Sequence, residues 1–216
     1  MSSMTAERAH LRQASLFDGG PPTVDRGFAG LQRTWLDPTS WVDHCPGWLH
    51  GADAVFDALV DELPWRQREV VMFDRLLPEP RLTCWWSELG DSDEPLPVLG
   101  EARIALTEHY AQPFDSIGFN LYRDGRDSVA WHSDRERFEH EDPVVVIVSV
   151  GAARPLRLRP IGGGGSSRWD LGHGDLLVMG GACQHDWQHC VPKVAHAEGP
   201  RLSIMFRHHL ADLPPP

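Results

Sequence analysis

Three things are scarce in this chain of 216 residues: basic charge, long apolar runs and paired cysteines. Lysine and arginine number 20 against 31 acidic residues, a formal net charge of −11. That balance excludes a broad basic face that grips nucleic acid regardless of sequence, though a local basic groove remains compatible with it. No apolar run approaches the ~20 residues of a membrane span. The N-terminal MSSMTAERAH lacks the apolar stretch of a secretion signal. Cys45, Cys84, Cys183 and Cys190 show no paired framework, so a reducing compartment, the cytoplasm, is expected. No internal repeat is present, and the length suits one sizeable core.

Residues 1 to about 25 end in DGGPPT and read as a flexible arm ahead of a single domain over 26–216. Within the arm, QASLF (Gln13 to Phe17) resembles the short peptide with which bacterial repair and replication proteins dock on the sliding clamp. Leu16 and Phe17 folding back onto the domain is the alternative. GADAVFDALVDELPW, from Gly51, places Val55, Phe56, Leu59 and Val60 at helical spacing before Pro64. A second helix is expected in LPVLGEARIALTEHYAQPF, through Leu99, Ala102, Leu106 and Tyr110. From about residue 115 the pattern changes to short strands and turns: SIGFNLYR, SVAWHS, PVVVIVSVG, PLRLRP, SRWDL, DLLVM, DWQHCV and RLSIMFRHH. Such spacing predicts a sandwich, jelly roll or barrel core over about 115–209, with the two helices covering one face.

Three His-x-Asp spacings occur, His132/Asp134, His140/Asp142 and His173/Asp175. About one is expected by chance, so context must decide. His173 and Asp175 flank a glycine turn, where aspartate is at home anyway. His140 and Asp142 lie in FEHEDP, an acidic loop before proline. His132 and Asp134 instead end a strand-like segment, and residues i and i+2 of a strand share a face. An imidazole and a carboxylate can therefore converge on one ion there, although a surface pair at a strand end is the plainer alternative.

A 2-His-1-carboxylate triad needs a further ligand and leaves coordination positions open for chemistry. ACQHDWQHCVPK offers His185 and His189, of which one suffices. In the final strand Arg201, Ser203, Met205 and Arg207 share one face, while Leu202, Ile204 and Phe206 share the other. Two arginines facing a β interior are costly unless anions meet them. Their Cα atoms stand about 20 Å apart by strand rise, and guanidinium forks leaning inward could hold the ends of a small dicarboxylate. A triad followed by such a pair points to an iron and 2-oxoglutarate oxygenase.

The sequence here resembles the AlkB family of Fe(II)/2-oxoglutarate-dependent dealkylases. The likeness runs from about 45 to 209 through PRLTCWWSEL, NLYRDGRDSVAWHSDRE, LGHGDLLVMGGACQHDWQHCVPK and PRLSIMFR. It implies a double-stranded β-helix (jelly roll) core with flanking helices. It implies that His132, Asp134 and His189 bind Fe(II), leaving His185 outside. Arg201 and Tyr122 would hold the far carboxylate of 2-oxoglutarate, with Asn120, Ser203 and Arg207 completing that pocket and O2 as co-reactant. Ser203 and Met205 depart from the family's usual asparagine and threonine. Arg81, Trp86 and Glu136 would meet the substrate base, with Trp86 stacked against it and Trp85 left to the core. Arg66, Arg68, Arg75, Arg123 and Arg126 could supply local phosphate contacts. The implied activity is oxidative dealkylation of bases such as 1-methyladenine and 3-methylcytosine in DNA, with a single strand expected since unstacking it costs less, by a monomer.

Three other readings compete. One is an oxygenase demethylating RNA or a protein. Another is a non-catalytic nucleic-acid-binding relative. The last is a structural zinc site built from Cys183, His185, His189 and Cys190, which would leave Arg201 and Arg207 without a purpose.

Overall fold

A computed structural model of the chain describes residues 20–72, 75–90, 93–134, 142–197 and 199–208. Gln13–Phe17, Glu136 and His140 lie outside the described residues.

Among the described residues, fifteen strands and three helices are formed. The first part contains β1 (Thr23–Val24), β2 (Gln32–Trp35), β3 (Ser40–Cys45), β4 (Leu49–His50), α1 (Ala52–Glu62), β5 (Glu69–Met72), β6 (Arg75–Pro78), β7 (Leu82–Ser87) and α2 (Pro97–Tyr110). After it come β8 (Ser116–Tyr122), β9 (Val129–His132), β10 (Val145–Gly151), β11 (Arg154–Pro160), β12 (Ser167–Leu171), β13 (Asp175–Gly181), α3 (Cys183–Asp186), β14 (Trp187–Val191) and β15 (Arg201–Arg207). The major sheet runs β2-β3-β13-β10-β15-β8-β7 and the minor sheet β12-β11-β14-β9. All the pairings within both sheets are antiparallel. The architecture is the expected jelly roll with flanking helices.

Period-two alternation sorts the major sheet's side chains into two cores. On β15, Leu202, Ile204 and Phe206 face α1 and α2, joined by Ile117, Phe119 and Leu121 of β8 and Val146, Val148 and Val150 of β10. The helices answer with Val55, Phe56 and Leu59, and with Leu99, Ala102 and Leu106. The opposite parity, including Val145, Ile147, Tyr122 and Met205, faces the minor sheet's Leu156, Leu158 and Val191. Both helices end as their sequences dictate: α1 before Pro64, and α2 at Ala111, whose φ of 53° is left-handed.

The sheet reaches upstream of the core expected at about 115. β3 pairs with β13 and β7 with β8, and Thr23–Val24 pairs with β4 inside the segment expected as an arm. The sequence carries no clear strand signal at β3 because Asp43 interrupts its apolar pattern. That carboxylate is fully buried, receiving Arg33 at 2.7 and 2.8 Å and the Tyr110 hydroxyl at 3.1 Å. It thereby ties α2 to the sheet. Among the described residues no helix is long and apolar enough to cross a membrane.

His173 and Asp175 hold structure rather than a metal. The Gly151 N–H donates to His173 Nδ1 at 2.9 Å, and His173 Nε2 lies 3.2 Å from Asp53. Asp175 accepts from the N–H groups of Gly47 and Gly172 at 2.9 and 2.8 Å. Gly174 between them has φ +82°, and an added Cβ would strike the Leu49 carbonyl.

Candidate active site

β9 and β14 are antiparallel neighbours with His132 directly opposite His189. Both imidazoles project into the space between the sheets, their ring centroids 4.2 Å apart. β9 stops at His132, so Asp134 lies in the turn beyond the strand rather than on it. Two side-chain bonds fix that turn. Ser133 Oγ donates to the Trp187 carbonyl at 2.7 Å, and the Asp134 N–H donates to Gln184 Oε1 at 3.0 Å. Gln184, 1% exposed, comes from α3.

His132 Nε2 lies 3.6 Å from Asp134 Oδ1, and His189 Nε2 lies 3.7 Å from Oδ2. Those separations are too long for hydrogen bonds, and one ligand atom from each residue falls within 4.8 Å of the others. Asp134 Oδ2 is buried without a hydrogen-bond partner. A carbonyl can only accept, so the 2.9 Å contact from His132 Nδ1 to the Ala130 oxygen places the proton on Nδ1 and leaves Nε2 as a donor of electrons. Burial pushes His189 down to about 3, which keeps it in the neutral, ligating form. Burial works against ionising Asp134, but Arg207 at 2.9 Å outweighs it and holds the carboxyl below its usual range. Two imidazoles that turn Nε2 to one buried carboxylate, whose Oδ2 has no hydrogen-bond partner, fit a divalent iron.

Deeper in the same cleft, of about 890 Å³, β8 and β15 place Tyr122 opposite Arg201 and Asn120 opposite Ser203. Arg201 is 1% exposed. Its Nε donates to Ser149 Oγ at 2.9 Å, and Nη2 has no hydrogen-bond partner. Burial lowers its guanidinium to about 10. No carboxylate among the described residues pairs with it within 4 Å, and a buried guanidinium of this kind suits an anionic ligand. Tyr122 lies between two cations, Arg201 at 5.3 Å and Arg154 at 5.6 Å from its ring centre.

The mouth corrects one expectation. On β7, Trp85 pairs with Gly118 and Trp86 with Ile117. Parity therefore sends Trp86 into the helix-side core, 7% exposed, and leaves Trp85 lining the cleft. Gly118 makes this possible: a Cβ there would sit 3.1 Å from both the Trp85 ring and Met205. Arg81 links the mouth to the pocket, donating to Asn120 Oδ1 at 3.3 Å and pairing with Glu79 at 3.1 Å. Arg66 and Arg68 line the cleft. Arg123 and Arg126 do not serve as open phosphate contacts, because Asp127 at 2.8 Å and Asp124 at 2.7 Å cancel their charge. The zinc arrangement does not form either: Cys183 packs in the inter-sheet core and His189 turns to Asp134.

A family model described as the 2OG-Fe(II) oxygenase superfamily matches residues 45–207. Alpha-ketoglutarate-dependent dioxygenase alkB homolog 3 of Mus musculus is 37% identical over 209 residues, covering 87% of this chain and 72% of that protein. DNA oxidative demethylase ALKBH2 of Arabidopsis thaliana is 33% identical over 189 residues, covering 70% and 60% respectively. The chain belongs to the AlkB family of Fe(II)/2-oxoglutarate-dependent dioxygenases. The solved structure of OsALKBH1 shares its fold, with a TM-score of 0.56 at 16% identity over 82% of this chain and 100% of that one.

This AlkB-family dioxygenase uses Fe(II), 2-oxoglutarate and O2, and His132, Asp134 and His189 form its iron triad. Several residues around the triad carry no local sequence signal. Gln184 and Ser149 are ordinary polar residues until the fold aims them. Arg154 was legible in principle, since it shares parity with Leu156 and Leu158, the inward residues of β11.

Proposed function

We propose that this dioxygenase removes alkyl groups from bases of single-stranded DNA, with 1-methyladenine and 3-methylcytosine as typical substrates, and so reverses alkylation damage. The observation that carries this reading is the layout of one cleft. It has an iron triad and an anion pocket at its floor, and Trp85, Arg66 and Arg68 around its mouth. A base taken out of its stack needs a flat surface and cationic edges, and the mouth offers both. The relatives named alkB homolog 3 and DNA oxidative demethylase point the same way.

In this reading Arg201 and Tyr122 hold the far carboxylate of 2-oxoglutarate, Ser203 and Asn120 line its body, and Arg207 steadies the end beside Asp134. Bound iron, with 2-oxoglutarate and O2, supplies the oxidation that places a hydroxyl on the N-alkyl carbon and releases succinate and CO2. The resulting carbinolamine loses its C–N bond to give an aldehyde and the restored base. The protein contributes position and exclusion of water: Trp85 and the His132 ring flank the base, and Arg81 couples its edge to Asn120.

The test is formaldehyde and succinate release from methylated single-stranded DNA, duplex DNA, RNA and peptide, each with and without 2-oxoglutarate. Methylated single-stranded DNA is expected to be the fastest. A faster reaction on methylated RNA or peptide would reassign the substrate, and binding without turnover on every substrate would make the chain a non-catalytic relative.

A further inference from the structure

The outer face of the minor sheet carries charge that the cleft does not use. Leu156 and Leu158 of β11 face the interior, so Arg157 and Arg159 point outward. Beside them in register stand Gln188 and Cys190 of β14 and Arg168 of β12. Arg159 donates to Gln188 Oε1 from Nε at 3.3 Å and from Nη2 at 3.1 Å. Its guanidinium lies 4.3 Å from the ring centre of Trp131 on β9.

Arg168 has a counter-ion, Asp170, at 2.6 Å. Among the described residues no carboxylate pairs with Arg157 or Arg159, and Arg157 Nε is buried without a hydrogen-bond partner. Two residues apart on a strand, their Cα atoms are about 7 Å from each other, close enough for like charges to repel. In a chain with 31 acidic residues and a net charge of −11, such a pair calls for an external anion.

The row also begins in a telling place. Trp131 directly precedes the iron ligand His132, and β9 is the edge strand of the minor sheet. From that edge to β12 is about 14 Å, three inter-strand spacings. Trp131 holds one face of the Arg159 guanidinium, and Gln188 occupies part of its donor edge. A guanidinium fixed flat with further N–H groups to spare is suited to phosphate oxygens.

The geometry points to a track in which Trp131, Arg157 and Arg159 bind the phosphates of the single strand as it leaves the cleft around the β9 edge. This rests on the nucleic-acid reading of the cleft. A single strand fits better than an acidic protein because the row starts at the rim where a strand with one base in the cleft must continue.

The decisive variant is Arg157→Gln/Arg159→Gln, which keeps both stems and removes only charge. Binding is measured against salt for two methylated single strands. One is short enough to fill only the cleft; the other is of about 15 nucleotides. The track predicts that the variant binds the longer strand about tenfold more weakly and lowers its salt slope by about 1.4, two phosphate contacts at ~0.7 each. Binding and turnover of the short strand stay as in the parent, and Arg157→Lys/Arg159→Lys restores most of the long-strand affinity. An unchanged long-strand slope, or an equal loss for both lengths, overturns the track. Salt-sensitive binding of an acidic peptide that the variant abolishes, with an unchanged long-strand slope, would assign the row to a protein partner and overturn it as well. If no methylated strand is turned over but the long-strand slope still falls, the dealkylation reading fails and the track stands.

Discussion

Arg207 Nη2 stands 2.9 Å from Asp134 Oδ1, so the metal-binding carboxylate has a cation beside it before iron arrives. Both residues are more than nine-tenths buried, and the bond orients the carboxylate so that its other oxygen, Oδ2, stands 3.7 Å from His189 Nε2. Partners that orient a ligand in this way are commonly worth about 10–100-fold in metal affinity. Arg207→Met should weaken Mn(II) binding, used in place of Fe(II), by that factor in calorimetry. It should also lower the melting temperature of the metal-free protein, because an uncompensated buried charge costs about 3–5 kcal/mol. Native Mn(II) affinity in Arg207→Met would remove Arg207 from this role.

The two neighbouring tryptophans should behave as different kinds of residue. Trp86→Ala empties a core site and is expected to cost about 3–5 kcal/mol of stability. Trp85→Ala should leave stability nearly intact and raise KM for a methylated oligonucleotide about tenfold, the loss of one base–aromatic stack. Gly118→Ala gives an independent check, since its methyl would press the Trp85 ring at 3.1 Å and should raise the same KM while sparing KM for 2-oxoglutarate. Thermal melts and steady-state kinetics on the three variants separate these effects. A Trp85→Ala variant with unchanged oligonucleotide KM would refute the stacking role.

These tryptophans also mark where sequence patterns stop being informative. From residue 116 onward the eight observed strands coincide with those the alternation predicts, because most of them bury one face or both and their apolar residues repeat accordingly. β7 escapes that logic. It is an edge strand rich in aromatics on both faces, so only its register against Gly118 and Ile117 decides which ring meets the cleft. His132 and Asp134 were legible from their spacing at the end of a strand-like segment, whereas the choice of His189 over His185 rested on the family resemblance, and it is strand pairing that sets His189 opposite His132. Gln184 and Ser149, which steady Asp134 and Arg201, come from distant segments and acquire their roles only through the fold.

Arg154 should act on the 2-oxoglutarate pocket through Tyr122. It is buried on the inward face of β11 and donates to the carbonyls of Asp124, Asp127 and Pro192 at 2.9, 2.8 and 2.9 Å. With the loop on one side and the Tyr122 ring on the other, it fixes where that hydroxyl can reach. Arg154 reaches these carbonyls from two separate Nη atoms of a rigid plane, which the single nitrogen of a lysine does not reproduce. Arg154→Lys is expected to raise KM for 2-oxoglutarate about tenfold with kcat little changed, the pattern of lost ground-state binding. Succinate assays at graded 2-oxoglutarate concentrations measure the split, and an effect on kcat alone would contradict it.

Asp175 offers a test of stability against pH away from the iron ligands. Burial raises its carboxyl, but the His44 contact and the N–H groups of Gly47 and Gly172 overcome this and leave it below the ordinary value. With the folded value depressed, the ionised group contributes stability above the unfolded value of about 3.9. That contribution is lost as pH falls through 3.9 toward the folded value. Asp175→Asn keeps one carbonyl acceptor and loses the charge, so at neutral pH it should cost about 1–3 kcal/mol. The gap between parent and variant should then narrow as pH falls below about 4, as the parent's carboxylate takes up its proton. Urea unfolding of both proteins at neutral and acid pH reads this directly. A gap of constant size across that range would mean that the charge on Asp175 contributes nothing and that the turn is held by its hydrogen-bond geometry alone.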